Sequence, residues 1–436
     1  MSDFFTTKIF TDGQLGVNGH DLNAIIAQAS PNPDLITNKT LANQPSANGS
    51  DQLLLCQGGT TLVRTPYSGF FLPAYVRPAA GIPQYISTIN GDMSVWQSNT
   101  SFANVATGTL TADMYKPITT LATGKANITQ LDLLGSLVGG ANNYRPRFGM
   151  RVTVATSQAS LGAGEYFAVT QRIERTQARK LFDQPSSNSV WVRSSVAGTF
   201  SFGLRNSDAT QSYKADFSVG TPNVWQRLTM PNIITMPDSS GNWGTNESDF
   251  CYEIDITLAC GSTFQSATQN SWISGNFLGS ASQLNLFATG AATFDISLLQ
   301  HESGTVCTPF WPDQSVTETE LKCSRYVTKS YNRLSFAGST TDSSGIIVVA
   351  ATTIAAFGTM PFKVPLRITP SAGNVNIYSD NSGTVNKLFD RLATADVSIN
   401  SVSVSDKAIA LIGSAATFTV AAGHIYTGHY FIDCSL

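Results

Sequence analysis

The stretch Tyr252-Glu253-Ile254-Asp255-Ile256-Thr257-Leu258 puts Tyr252, Ile254, Ile256 and Leu258 on one side and Glu253, Asp255 and Thr257 on the other. Strict alternation fits a strand, whose side chains leave the backbone with period two, and does not fit a helix of period 3.6. One face belongs in a core, and the other, with its two carboxylates, reads as a solvated sheet face. The same pattern recurs at Phe148, Met150, Val152 and Val154, at Phe167, Val169 and Ile173, and at Phe200, Phe202 and Leu204. Turn-forming clusters separate these runs, among them Pro185-Ser186-Ser187-Asn188, Asn206-Ser207-Asp208 and Pro237 to Asn242. Many short antiparallel strands with few helical patterns between them predict an all-β fold, a sandwich or jelly roll.

Composition supports this reading and removes several function classes. At roughly 100–200 residues per domain, the 436 residues suggest two to four domains. Charged residues are 13% of the chain while hydrophobic residues are 42%, so the polar part is mostly Ser, Thr, Asn, Gln and Gly. A net charge of −3 leaves no basic footprint for nucleic acid or an anionic membrane. No apolar run approaches the roughly 18 residues of a membrane span, so no membrane insertion is expected. Met1 to Gly13 lacks the basic and apolar regions of a secretory signal. Synthesis in a cytoplasm follows as an expectation. The six cysteines form no Cys-x-x-Cys pair and read as reduced, mostly buried thiols rather than a zinc site.

Three regions are expected: residues 1–85, 86–314 and 315–436. In the first, Leu22, Ile25, Ile26 and Ala29 mark one short helix over Asp21 to Ala29, followed by loops at Ser30 to Pro33 and Gln44 to Ser50. This mostly irregular segment has little core of its own. It suits either a part that docks on something larger or a strap over its own subunit. In the third region, Gly345 to Ala356 is nearly continuously apolar, as for a strand buried on both faces or pressed against a symmetry mate. Further strands are expected at Val397 to Val404, Thr417 to Val420 and Ile425 to Ile432, making a second, smaller β domain.

Several stretches carry a family resemblance. Ile89-Asn90-Gly91-Asp92-Met93-Ser94-Val95-Trp96-Gln97, followed by Leu110-Thr111-Ala112-Asp113, resembles the opening of a domain of bacteriophage tail-fibre and receptor-binding proteins. Gln300, Glu302 and Gly304, then Thr308-Pro309-Phe310, then Glu320-Leu321-Lys322-Cys323-Ser324-Arg325-Tyr326 resemble the signature closing its carbohydrate-binding-module-like jelly roll. Trp272-Ile273-Ser274-Gly275-Asn276 and Phe362 to Arg367 add weaker matches. His301 and Cys307 depart from the small or apolar residues usual there, at positions that look like packing. The resemblance implies a homotrimeric virion fibre or adhesin, with a central jelly-roll β-sandwich and a smaller C-terminal β domain. It further implies attachment to a phage tail or capsid protein through the N-terminus and to host cell-surface polysaccharide. A purely structural fibre or capsid decoration protein is the alternative, and a polysaccharide depolymerase stands third.

No residue spacing singles out a catalytic centre. Glycan hydrolysis needs two facing carboxylates, and no pair is marked among the 29 acidic residues. Glu302 reads as a partner for backbone donors. There is no Gly-x-Ser-x-Gly elbow, P-loop or His-Glu-x-x-His, and no enzyme activity is expected. His20, His301, His424 and His429 do not form a metal set. No cofactor is expected beyond structural calcium, for which Asp238 to Asn242 or Asn206 to Asp208 offer oxygen donors that are also ordinary turn formers. A sugar would stack on an exposed ring while amides and carboxylates bond its hydroxyls. Trp191, opposite Val190 and Val192, and Trp243, just past a polar turn, are the candidate glycan-binding residues. Trp225, Trp272 and Trp311 are assigned to the core.

Overall fold

The computed structural model describes residues 52–57, 61–66, 85–135, 144–182, 184–233, 236–237, 241–313, 315–341, 345–352, 355–399, 402–413 and 421–436. The helix expected at 21–29 and the strand expected at 417–420 lie outside them. The chain divides into residues 1–80 and 81–436. In the first unit, β1 (Gln52–Gln57) and β2 (Thr61–Pro66) pair antiparallel. The segment expected to be mostly irregular thus contains a hairpin, for which the Gly58-Gly59 dipeptide between two apolar runs is the sequence signal.

The alternating segments of the second unit build a sandwich of two six-stranded antiparallel sheets. One contains β4 (Tyr115–Thr119), β7 (Tyr166–Glu174), β9 (Gly198–Asn206), β10 (Gln211–Val219), β12 (Phe250–Cys260) and β13 (Trp272–Ser274), in the order β13-β10-β9-β12-β7-β4. The other contains β3 (Ser101–Phe102), β5 (Lys125–Asp132), β6 (Phe148–Thr156), β8 (Ser186–Ser194), β11 (Gln226–Ile233) and β14 (Thr293–Ser303), in the order β11-β8-β14-β6-β5-β3. Tyr252, Ile254, Ile256 and Leu258 from the first sheet share one core with Met150, Val152, Phe294 and Ile296 from the second.

The opposite face of β12 is not solvated. Glu253 and Asp255 are buried, and both bind the equally buried guanidinium of Arg205. The segments flanking β13 lie across this face: Thr257 donates to the Leu278 carbonyl, Ser212 to that of Gly275, and Gln269 and Ser280 to Asp216. The alternation located the polar face, but the cover comes from a different part of the chain.

A third sheet follows α1 (Arg175–Ala178) and α2 (Val316–Ser324) in the chain. Its path runs β20 (Ala395–Ser398), β19 (Lys387–Asp390), β23 (Ile425–Asp433), β16 (Ile346–Thr352), β17 (Ala355–Pro361), β22 (Ala408–Gly413) and β21 (Ser403–Val404). β15 (Val327–Lys329) and β18 (Val375–Ser379) also pair with β23. The sheet has its own apolar cluster, including Ile346, Val348, Ile377, Leu388 and Ile432. The strand expected over Val397 to Val404 is split between β20 and β21. β16 is not buried on both faces: Ile346 and Val348 are inaccessible, whereas Ile347 is 58% and Val349 52% exposed.

His301 shows how the sandwich handles a buried titratable group. Its Nδ1 lies 2.8 Å from the Tyr252 hydroxyl and 3.2 Å from Ser87 Oγ, and its Nε2 lies 3.0 Å from Ser186 Oγ. Complete burial without a counter-charge lowers its pKa to about 3. The unfolded chain therefore takes up this proton near pH 6.5 while the native state does not, so stability is full above that pH and is lost as pH falls towards 3. The loss is about 1.4 kcal/mol per pH unit within that window. Chemical denaturation at pH 7 and pH 5 should show it, and His301→Gln should flatten the difference; an equally steep loss in the variant would refute the assignment.

Candidate functional site

The structure redistributes the tryptophans. Trp243 is 3% exposed, donates its indole N–H to the Pro237 carbonyl and makes edge contacts with Phe182 and Trp272. It offers no open ring face to a sugar, because the rings that cover it come from elsewhere in the chain. Trp191 is half-buried in a satellite cluster with Leu133, Leu298, Trp225 and Phe310. Trp272 is half-buried against the main core. Trp311, assigned to the core from sequence, is 50% exposed.

The signature residues explain how Trp311 is held there. Buried Glu302 accepts the Thr308 backbone N–H at 2.7 Å and the Thr308 hydroxyl at 2.5 Å. Burial nevertheless raises its pKa above the usual carboxylate range. Buried Gln300 donates to Glu302 and to Thr308, both at 3.0 Å, and its amide oxygen accepts the Trp311 backbone N–H at 2.7 Å. The loop is thus fixed through its backbone, with Trp311 half exposed. Glu302 does what the sequence suggested, serving a backbone donor. The signal for Trp311 was its place between Pro309 and Pro312, which cannot donate to a sheet ladder and so argue for a loop.

Beside Trp311 lies a cleft of about 390 Å³, lined by Tyr85, Thr88, Asn90, Asp92, Asp313 and Lys322 together with Phe310. Tyr85, Thr88, Glu318 and Lys322 also line a neighbouring cleft of about 560 Å³ that reaches Leu321 and Pro365. Asp92, Asp313 and Thr319 are shared with a third, of about 320 Å³, that reaches Tyr144, Arg145, Arg147 and Arg333. These shared residues set the three clefts side by side along α2, and the three together are termed the groove. Trp191 lines none of them.

The groove is built from the motifs quoted above. Asn90, with φ 57°, donates to the carbonyls of Val95 and Asp113 and accepts the Val95 N–H, closing the turn that presents Asp92. Gly91 is required because a Cβ there would stand 2.1 Å from the Leu299 carbonyl oxygen. Asp92 accepts the Tyr144 hydroxyl at 2.5 Å, and burial with this carboxylate beside it keeps the Tyr144 phenol protonated. Asp313 accepts the Thr319 hydroxyl at 2.9 Å and pairs with Lys322. Arg325 clamps buried Glu174 through both carboxylate oxygens, at 3.0 and 2.7 Å, and the Tyr326 hydroxyl donates to it at 2.5 Å, fixing the end of α2. The arrangement offers one open indole, a partly buried tyrosine and several fixed acceptors and donors.

At the turn considered for calcium, Asp208 Oδ1 accepts from Asn206 and Thr210, and Oδ2 accepts the Asn242 N–H. Its oxygens serve as turn acceptors. Residues 238–240 lie outside the described residues, and no group of three His, Cys, Asp or Glu among the described residues is placed to hold a metal.

No protein-family model and no curated protein matches the sequence. Among solved structures, the chain is similar to a family 11 carbohydrate-binding module from Clostridium thermocellum in complex with a β-1,3-1,4-mixed-linked tetrasaccharide. That alignment has 10% identity and a TM-score of 0.24 and covers 48% of this chain and 99% of the module. A family 22 module of Clostridium thermocellum Xyn10B aligns at 14% identity, with a TM-score of 0.25, over 53% of this chain and all of that one. The enzymatically active domain of bacteriophage CBA120 tailspike protein 4 aligns at 10% identity, with a TM-score of 0.24, over 47% of this chain and 21% of that one.

Proposed function

We propose that the protein is a non-catalytic glycan-binding protein of the virion-fibre or adhesin type, and that its jelly-roll sandwich grips host-surface polysaccharide in the Trp311 groove. The observation that carries the reading is the half-exposed indole of Trp311, anchored by its backbone and standing over a groove of fixed hydrogen-bonding groups. A pyranose presents a C–H face that stacks on such a ring while its hydroxyls pair with neighbouring polar groups. Asp92 and Asp313 are already engaged by a hydroxyl and by Lys322, as suits binding rather than acid–base work. A glycan array probed with the intact chain should report retained glycans, and no reducing ends should be released from them. Silence on a broad array would overturn the reading, and release of reducing ends would move it to the depolymerase class.

The reading includes a homotrimer attached to a particle through residues 1–85. Three weak sites on one fibre gain avidity through effective concentration. The stripe Ile347, Val349 and Ile425 supports self-association: all three are 43–58% exposed, and Val349 lies directly opposite Ile425 in the ladder. Light scattering should give three chains, and Ile347→Asp with Val349→Asp should release monomers. A wild-type monomer at micromolar concentration would count against the trimer, and undiminished incorporation of a chain lacking residues 1–85 would count against the anchor.

A further inference from the structure

One end of the groove gathers three guanidinium groups. Arg145 and Arg147 lie on the segment entering β6, and Arg333 lies in the turn after β15; all three line the cleft of about 320 Å³. Arg147 is paired with Asp132 and lies over the Phe148 ring, 5.0 Å from its centroid. Arg145 and Arg333 are exposed and have no acidic partner among the described residues. Of the carboxylates in the same cleft, Asp313 pairs with Lys322, and Asp92 accepts the Tyr144 hydroxyl. In a chain with 26 Lys and Arg among 436 residues, Arg145 and Arg333 bring two cations without an acidic partner among the described residues from separate segments to one cleft, and an incoming anion would gain from both. A guanidinium presents a planar fork that matches an oxyanion, and such charge-assisted bonds are about twice as strong as neutral ones. Tyr144 and Phe148 supply apolar surface beside the charge.

We propose that this arginine end is a subsite for an anionic substituent, so that the ligand of the groove is an acidic polysaccharide. The proposal rests on the glycan-binding reading and narrows it to a ligand class. The carboxylate of a uronic acid and a phosphate substituent share the required chemistry, with a neutral sugar on Trp311 and its charged neighbour in the adjoining cleft of Arg145 and Arg333, which shares Asp92 and Asp313 with the first.

The test is affinity electrophoresis of the full chain in gels containing polygalacturonate, its fully methyl-esterified form or a phosphomannan, repeated at rising salt. The wild type should be retarded by one or both acidic polymers, less at high salt, and at least about tenfold more weakly by the neutral ester. Retardation by polygalacturonate assigns the carboxylate, and retardation by phosphomannan alone assigns the phosphate. Arg145→Gln with Arg333→Gln should bring retardation by the acidic polymers down to the level of the ester while leaving the melting temperature unchanged. Trp311→Ala should weaken all three. Equal retardation by acid and ester, or full retention of the acid by the double arginine variant, would overturn the acidic-ligand proposal and leave glycan binding standing; no retardation by any polymer would overturn both.

Discussion

Arg205→Ala should cost about 3–5 kcal/mol of folding stability. Arg205 is 4% exposed and is held by Asp255 at 2.8 Å, by Glu253 and by the Asn276 amide oxygen at 2.7 Å. Burial, together with the Glu253 carboxylate beside it, drives the Asp255 carboxyl up even next to this cation. Removing the guanidinium leaves two carboxylates under the segments flanking β13 with only Arg172, paired with Glu253 at 3.1 Å, to offset them. They must then take up protons to remain buried. The folded variant holds protons that the unfolded chain has released, so its deficit grows as pH rises through the raised carboxylate pKa. Urea denaturation at pH 5 and pH 8 should show the larger loss at pH 8, and adding Glu253→Gln and Asp255→Asn should recover part of it. A loss below about 1 kcal/mol, the range of an exposed pair, would mean that this face is solvated after all.

The contrast between those two carboxylates and their neighbours shows what alternation can and cannot reveal. Period two separates Ile254 from Asp255 because backbone geometry alone sends adjacent side chains to opposite faces. What lies against each face is decided elsewhere. The cover, from the segments flanking β13, is rich in Ser, Gln, Asn and Gly and has no period of its own, so nothing local announces that it lies over a sheet. Buried charge is disfavoured unless paired, and the partner, Arg205, sits on β9, next to β12 in space but well before it in sequence.

The tryptophans were harder still, since the exposure of one ring depends on the few side chains that reach it. Trp243 follows a polar turn, which suggested solvent, yet Phe182 and Trp272 close over it from two other segments. Trp311 lies in a motif, which suggested a core, yet the motif holds only its backbone. Gln300, Glu302 and Thr308 were legible as a unit because they are near in sequence and bond one another. Arg145 and Arg333 were not, because β6 through β15 lie between them.

Trp311→Ala should therefore reduce glycan affinity at least about tenfold, in the range of a binding hot spot, while changing stability by no more than about 0.5 kcal/mol. The indole is half exposed, and the bond that fixes the loop comes from the Trp311 backbone N–H, which alanine retains. Phe310 and Tyr85 remain in place, so the cleft keeps its shape and loses only the stacking platform. Trp243→Ala is the opposite case: it empties a core site among aromatic rings and should cost about 3–5 kcal/mol, with any lost binding traceable to unfolding. Melting curves and glycan titrations on the two variants separate platform from core. If Trp311→Ala binds as tightly as the parent, the groove beside α2 is not where the sugar sits; if it unfolds, the ring carries packing that its exposure does not show. Gln300→Ala tests the anchor independently, since it should loosen the loop and weaken binding with the indole still present.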